Sequence, residues 1–214
     1  TSDAIIGVTR ANYDRNYEVV DITNIANVES IILNVKPNYI INLTGSYSND
    51  YDNDYKVNVL GSKNILDTVL KNGLLNIKIL LIGTSGEYGV KDYDPICENH
   101  SLFPSSIYAL TKVFQAELAS LYSKILQLNV CLVRTSNLIG PWMPEKLFIG
   151  NFFKQALSVD KIKIITIGSE GAYRDYLDIR DAVSAYYGIL KQGVSGEVYN
   201  LGSGSATQIK TIID

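Results

Sequence analysis

The sequence predicts an α/β protein built on a doubly wound parallel sheet with helices on both faces. Two observations carry that prediction. Short apolar runs alternate with amphipathic stretches, several of ten or more residues, and the runs are apolar almost throughout, as strands covered on both faces must be. The 214 residues, 46% of them hydrophobic, are enough for a large core.

The elements follow in order. The run at 4–9 (AIIGVT) is a strand and 17–20 a short second one. Residues 27–34 have helical spacing, and 39–43 (YIINL) form a buried strand. The polar stretch 46–55, rich in Asn, Asp and Tyr, is a loop. Helix 57–70 precedes strand 77–82 (IKILLI). The stretch 107–126 carries apolar residues at 107, 110, 114, 118, 121 and 125, one face of a helix. A strand at 130–134, a helix at 151–158, a strand at 161–167, a helix at 181–190 and a strand at 197–201 complete the alternation. The sequence closes on a helical start at 208–214.

Composition narrows the function. A net charge of −3 and a pI near 5.2 offer no global basic field, so nucleic acid and membrane surfaces are not expected partners. His100 is the only histidine, which leaves little support for histidine-rich metal sites or a Ser-His-Asp triad, and no metal is expected. Cys97 and Cys131 are too few for a disulfide scaffold and read as idle thiols in a reducing compartment. No signal peptide is visible and no apolar run reaches the length of a membrane span, so a cytoplasmic location is expected.

The most informative stretch is Pro104-Ser105-Ser106-Ile107-Tyr108-Ala109-Leu110-Thr111-Lys112. Tyr108 and Lys112 stand four apart, one turn from each other on a helix face. A phenol near pKa 10 is a poor acid or base at neutrality, and a cation held beside it moves it toward a useful range. Tyr-x-x-x-Lys also occurs by chance in many helices, so the pair needs context. Upstream, strand 77–82 runs into Gly83-Thr84-Ser85-Gly86-Glu87-Tyr88-Gly89. That puts hydroxyls at a strand's C-terminal end, where open α/β sheets bind ligands and a hydroxyl can bond a substrate oxygen.

One motif is missing. A dinucleotide-binding sheet normally opens with strand, glycine-rich turn and helix, in which G-x-G-x-x-G admits a pyrophosphate. No such turn occurs here, and Gly202-Ser203-Gly204 has the wrong context. The expectation is a chain that starts at the second strand, lacking the first strand and its glycine-rich turn.

A strand-end hydroxyl followed by Tyr-x-x-x-Lys in the next helix resembles the extended short-chain dehydrogenase/reductase family of sugar-nucleotide epimerases, dehydratases and reductases. Further segments match in order. Lys36–Gly45 (KPNYIINLTG) resembles the family's fourth strand and cofactor-facing turn, and Asn58-Val59-Leu60-Gly61 its N-V-x-G helix start. Residues 134–141 (RTSNLIGP) match R-x-x-N-x-x-G-P, and 174–181 (RDYLDIRD) match R-D-Y/F-x-x-V-x-D with Ile179 in the valine place. Residues 199–204 (YNLGSG) match Y-N-x-G-x-G.

The resemblance implies a Rossmann-like domain over 1–140 and a smaller, mainly substrate-binding part over 141–214. It implies Tyr108 as acid/base, Thr84 as assisting hydroxyl, and Lys112 as the group that binds the nicotinamide ribose and tunes the tyrosine. Cofactor contacts fall on Asp21 and Ile22 near adenine, on Leu43, Thr44 and Gly45, and on Asn58. Arg10, at a strand end where NAD-preferring enzymes often carry an acid, tilts the NAD(P) choice slightly toward NADP. Equally, it reads as an exposed strand-end arginine. A nucleotide-diphosphate sugar would meet Ser85, Gly86, Glu87, Asn137, Asn151 and Arg174, and a homodimer would pair the helices at 57–70 and 107–126.

The family's 4,6-dehydratases need an acid two places after the strand-end hydroxyl, where this chain has Gly86; Glu87 is one step further on. Among its members the chain most resembles the GDP-6-deoxy-mannose reductases, which reduce a C4 ketone. A UDP-hexose 4-epimerase would use the same residues, and a non-catalytic cofactor-sensing member would retain the fold alone.

Overall fold

The apolar runs form four parallel strands in the order β3 (Tyr39–Asn42), β4 (Lys78–Thr84), β5 (Asn129–Thr135) and β8 (Val198–Leu201). The structure is a computed structural model describing residues 5–9, 17–89, 95–157 and 172–213. Pleating sends alternate side chains to opposite faces. On one face Ile79, Leu81, Val130 and Leu132 pack with Val28 and Ile32 of α1 (Ile25–Val35). Ile65, Leu66 and Val69 of α3 (Gly61–Lys71) and Ala116 and Tyr122 of α4 (Ile107–Lys124) complete that layer. On the other face Leu80, Cys131 and Val133 meet Ala182, Tyr186 and Leu190 of α6 (Ile179–Gln192). Both faces are covered, which is why β4 and β5 read as unbroken apolar runs. Ile79, Leu80 and Leu81 are completely buried, each side chain contributing about 1.5–3 kcal/mol of transfer free energy.

Capping moves several boundaries from where periodicity puts them. Helix α1 begins at Ile25 because the Asn24 side chain accepts from the Ala26 and Asn27 amides. It stops where Lys36 turns left-handed (φ 49°) ahead of Pro37, which disfavours further helix. Strand β4 runs to Thr84, two residues past the apolar run. The expected helix 57–70 is a composite of α2 (Tyr51–Asp54), a π-helical turn (Tyr55–Leu60) and α3. Part of the expected 46–55 loop is therefore helix, started by Asp50 accepting from the Asn53 amide at 2.8 Å.

A second sheet holds β6 (Asn137–Ile139), β7 (Tyr173–Asp178) and β9 (Ala206–Gln208), β6–β7 parallel and β7–β9 antiparallel. These strands are short and mix polar with apolar residues, and no periodicity announced them. Strands β1 (Gly7–Thr9) and β2 (Tyr17–Val19) pair in parallel as a two-stranded sheet of their own. Helix α5 (Phe148–Leu157) starts a turn ahead of the expected 151–158, and α7 (Ile209–Ile213) ends the described chain. The strand expected at 161–167 lies outside the described residues, as does Arg10. Among the described residues no helix is long and apolar enough to cross a membrane, and no group of three or more His, Cys, Asp or Glu could hold a metal ion.

Candidate active site

The site begins where β4 ends. Thr84 caps a single 3₁₀ turn (Ser85–Tyr88), its hydroxyl accepting from the Gly86 amide at 3.2 Å. Reciprocally, Glu87 Oε1 accepts from the Thr84 amide at 2.9 Å, a complete capping box. Helix α4 is capped by Ser106, whose hydroxyl accepts from the Ala109 amide at 3.1 Å. That start places Tyr108 in the first turn and Lys112 one turn later.

Lys112 is buried, only 3% exposed. Its Nζ donates to the Ile82 carbonyl at 2.9 Å and to Gln115 Oε1 at 2.8 Å. Gly45, on the exposed turn after β3, lies in front of it: a Cβ there would stand 3.7 Å from Lys112 Nζ and 3.6 Å from Asn58 Oδ1. Asn58, buried in the π-helical turn, accepts from the Ser46 amide at 2.8 Å and donates to Ser46 O at 3.0 Å and to Thr111 Oγ1 at 2.9 Å. One side chain thus ties the post-β3 loop to α4. The widened turn is consistent with the frequent use of π-bulges at functional sites.

Tyr108 is half-buried, and Tyr47 from the same loop stands edge-on against it, ring centroids 5.0 Å apart. Lys146 Nζ lies 5.4 Å from the Tyr47 ring. Burial pushes the Tyr108 phenol up to about 12, helped by the charges of Glu87, Tyr47, Asp54 and Tyr186. Burial also pulls the Lys112 ammonium down to about 8, against the opposing pull of Glu87. The sequence alone suggested a phenol drawn down by its lysine. Here desolvation wins, since Lys112 Nζ sits 6.0 Å from the ring centroid and directs two donors to a carbonyl and an amide. The phenol is therefore neutral across the ordinary pH range, the form a proton donor needs.

The remaining candidates fall into three places. Asp21 and Ile22 follow β2: Asp21 Oδ1 accepts from Thr23 N at 2.9 Å, and Ile22 packs so tightly on α3 that a Cβ at Gly61 would come within 2.4 Å of it. Leu43 is exposed, and Thr44 is pinned by its amide to Asn42 Oδ1 at 3.1 Å. Ser85 and Gly86 are half-buried beside Thr84, whereas Glu87 is completely buried. Asn137 and Arg174 share the second sheet, Asn137 Nδ2 donating to Asp175 O at 3.1 Å. Both are exposed, and among the described residues the Arg174 guanidinium hydrogen-bonds only the Tyr173 carbonyl. Asn151, in the first turn of α5, is exposed and bonded to Gln155. Tyr47 and Gln115 escaped the sequence reading. Gln115 had a signal, three residues after Lys112 on the same helix face; Tyr47, in an aperiodic loop, had none.

This geometry belongs with a family. The model of the NAD dependent epimerase/dehydratase family matches residues 2–202, and the chain belongs to that family. Among curated relatives it is 24% identical over 190 residues to a GDP-6-deoxy-D-talose 4-dehydrogenase of Aggregatibacter actinomycetemcomitans, covering 87% of this chain and 63% of the relative. It is 28% identical over 167 residues to the GDP-6-deoxy-D-mannose reductase of Pseudomonas aeruginosa, covering 74% and 54%. Among solved structures, RMD from Pseudomonas aeruginosa complexed with NADPH superposes with a TM-score of 0.81 at 26% identity, over 92% of this chain and 68% of that one. The chain thus spans a little over half the length of these curated relatives. The doubly wound fold expected from the alternating runs and the membership in a family of sugar-nucleotide enzymes expected from the motifs both stand.

Proposed function

We propose that this chain carries the site of an NAD(P)-dependent nucleotide-sugar oxidoreductase that reduces the C4 ketone of a GDP-4-keto-6-deoxy-hexose. The observation that carries the reading is a neutral, half-buried Tyr108 in the first turn of α4, a helix packed against the turn that Thr84 caps, with Gly86 where a dehydratase needs an acid. The two GDP-6-deoxy-sugar relatives support the same class of substrate.

In this reading Tyr108 gives its proton to the ketone oxygen while the Thr84 hydroxyl bonds that oxygen and stabilises the developing alkoxide. Ser85 and Gly86 line the same end of β4. Asn137, Asn151 and the Arg174 guanidinium hold the diphosphate and sugar. Residues fit for a dinucleotide are in place: a buried ammonium with one N–H unspent among the described residues, facing an exposed glycine turn. Lys112 would bond the nicotinamide ribose, with Leu43, Thr44, Gly45 and Asn58 shaping that wall and Asp21 and Ile22 the adenine end. When bound, the cofactor supplies the hydride. NADP is favoured slightly, on Arg10 and on the NADPH held by the structural relative. Residues 1–140 then serve mainly the cofactor and 141–214 mainly the substrate.

The test incubates the full-length protein with GDP-4-keto-6-deoxymannose and NADPH. Cofactor oxidation is expected; interconversion of UDP-hexose 4-epimers without oxidation would replace the reductase with an epimerase.

A further inference from the structure

Glu87 is neither exposed nor idle. Its side chain is completely buried, and both of its oxygens are engaged inside the fold. Oε1 accepts from the Thr84 amide, and Oε2 meets Arg134 Nε at 2.7 Å. Arg134 Nη1 continues to the Tyr88 hydroxyl at 2.9 Å and the Glu98 carbonyl at 3.3 Å, with the guanidinium 4.9 Å from the Tyr88 ring. Tyr88 in turn donates to Asn200 Oδ1 of β8 at 2.7 Å. Gly83 makes the arrangement possible: any Cβ there would stand 2.4 Å from Glu87 Oε1. A glycine therefore leaves the space in which the carboxylate tucks against the strand that ends in Thr84.

Energetics ask why an ion pair is there at all. A buried pair gains little or nothing over well-packed apolar side chains of the same size, because desolvation consumes the Coulombic gain. Such a pair earns no stability that a leucine and a methionine would not supply. What apolar residues cannot supply is an acceptor for the Thr84 amide and a fixed charge beside α4.

We propose that Glu87 is a positioning residue for the site: clamped by Arg134, its carboxylate fixes the Thr84 turn and, when ionised, holds a negative charge near Tyr108 and Lys112. The proposal rests on the reading of Tyr108 as the proton donor but concerns a residue whose side chain has no exposed surface. It also separates Glu87 from Ser85 and Gly86, its neighbours at the expected substrate wall. The charged and titratable groups around the site are consistent with it. Tyr108 faces Tyr47 of the post-β3 loop, Asp54 of α2, Glu87 of the post-β4 turn and Tyr186 of α6, with Lys112 on its own helix. Glu87 faces Arg134 of β5 and Lys112 of α4. The Glu87 charge raises both the Tyr108 phenol and the Lys112 ammonium, so it helps each keep its proton.

The test uses Glu87→Gln, which keeps an oxygen for the Thr84 amide and removes the charge. Titration of the Tyr108 phenol, followed by NMR of ring-labelled tyrosine and assigned with Tyr108→Phe, needs no substrate and so stands apart from the assignment of the reaction. The phenol should ionise at a pH lower by about half a unit or more, and the pH profile of kcat should move the same way with KM little changed. Glu87→Gln combined with Arg134→Gln removes the orphaned guanidinium charge and should show the shift in a more stable protein. A folded variant with unmoved phenol titration and unmoved pH profile would overturn the proposal. Failure of both variants to fold would overturn it as well, by assigning the pair to stability alone.

Discussion

Lys112→Met makes a prediction that needs no substrate. An ordinary lysine titrates at 10.5, and burial brings Lys112 to about 8. The difference, roughly 2.5 units at a little over 1 kcal/mol each, is about 3 kcal/mol of fold stability spent on keeping a buried ammonium charged at neutral pH. The folded chain releases this proton before the unfolded chain does, so between pH 8 and 10.5 the unfolded state binds the extra proton. Stability from this group therefore rises with pH through that window, is complete above 10.5, and is lost as pH falls through about 8. Methionine removes the titration and adds only a pH-independent offset from the lost bonds to Ile82 O and Gln115. Urea unfolding of both proteins from about pH 7 to about pH 10.5 isolates the effect, since every other group is common to the two. The wild-type stability minus that of the variant should climb by about 3 kcal/mol across the window. A difference that stays flat would refute the claim that desolvation governs this site.

Further outcomes follow from the same geometry. Tyr108→Phe should lower turnover about 10²–10⁴-fold with little change in melting temperature, read by steady-state assay beside calorimetry. Thr84→Ala should lower kcat more than it raises KM, because its hydroxyl acts on the developing alkoxide. Leu81→Ala should cost about 2–5 kcal/mol in denaturant unfolding, since Leu81 is completely buried between β4 and its helices. Arg10→Ala should weaken NADPH more than NADH in cofactor titrations, and equal effects would remove the case for NADP. Sedimentation should return twice the chain mass if the exposed Leu121 of α4 and Ile125 at its C-terminal end contribute to a two-fold helical interface.

What the sequence made legible has a physical pattern. Strands β4 and β5 were plain because both faces are buried and their central positions, 79–82 and 130–133, are all apolar. Helix α4 showed its approximate length and the spacing of the candidate pair, since Tyr108 and Lys112 stand one turn apart. Strands β6, β7 and β9 were not visible: three to six residues leave too little alternation to read. The π-helical turn at Asn58 was invisible for a different reason, because its extra residue is stabilised by contacts to Ser46 and Thr111 from elsewhere in the chain. The Tyr108–Lys112 pair was found by spacing, yet its electrostatics were not. The spacing carries no information on burial, and burial decides the direction of both titrations. Glu87 appeared as a polar residue beside a strand-end turn, and only the fold reveals its bond to Arg134, 47 positions away.

The most direct measurement of the reductase assignment follows isotope. The full-length protein is supplied with NADPH deuterated at the transferable position of the nicotinamide and with GDP-4-keto-6-deoxymannose. One deuterium is expected at C4 of the product sugar, formed in step with cofactor oxidation and abolished by Tyr108→Phe. Deuterium absent from C4, with the cofactor unconsumed, would contradict it.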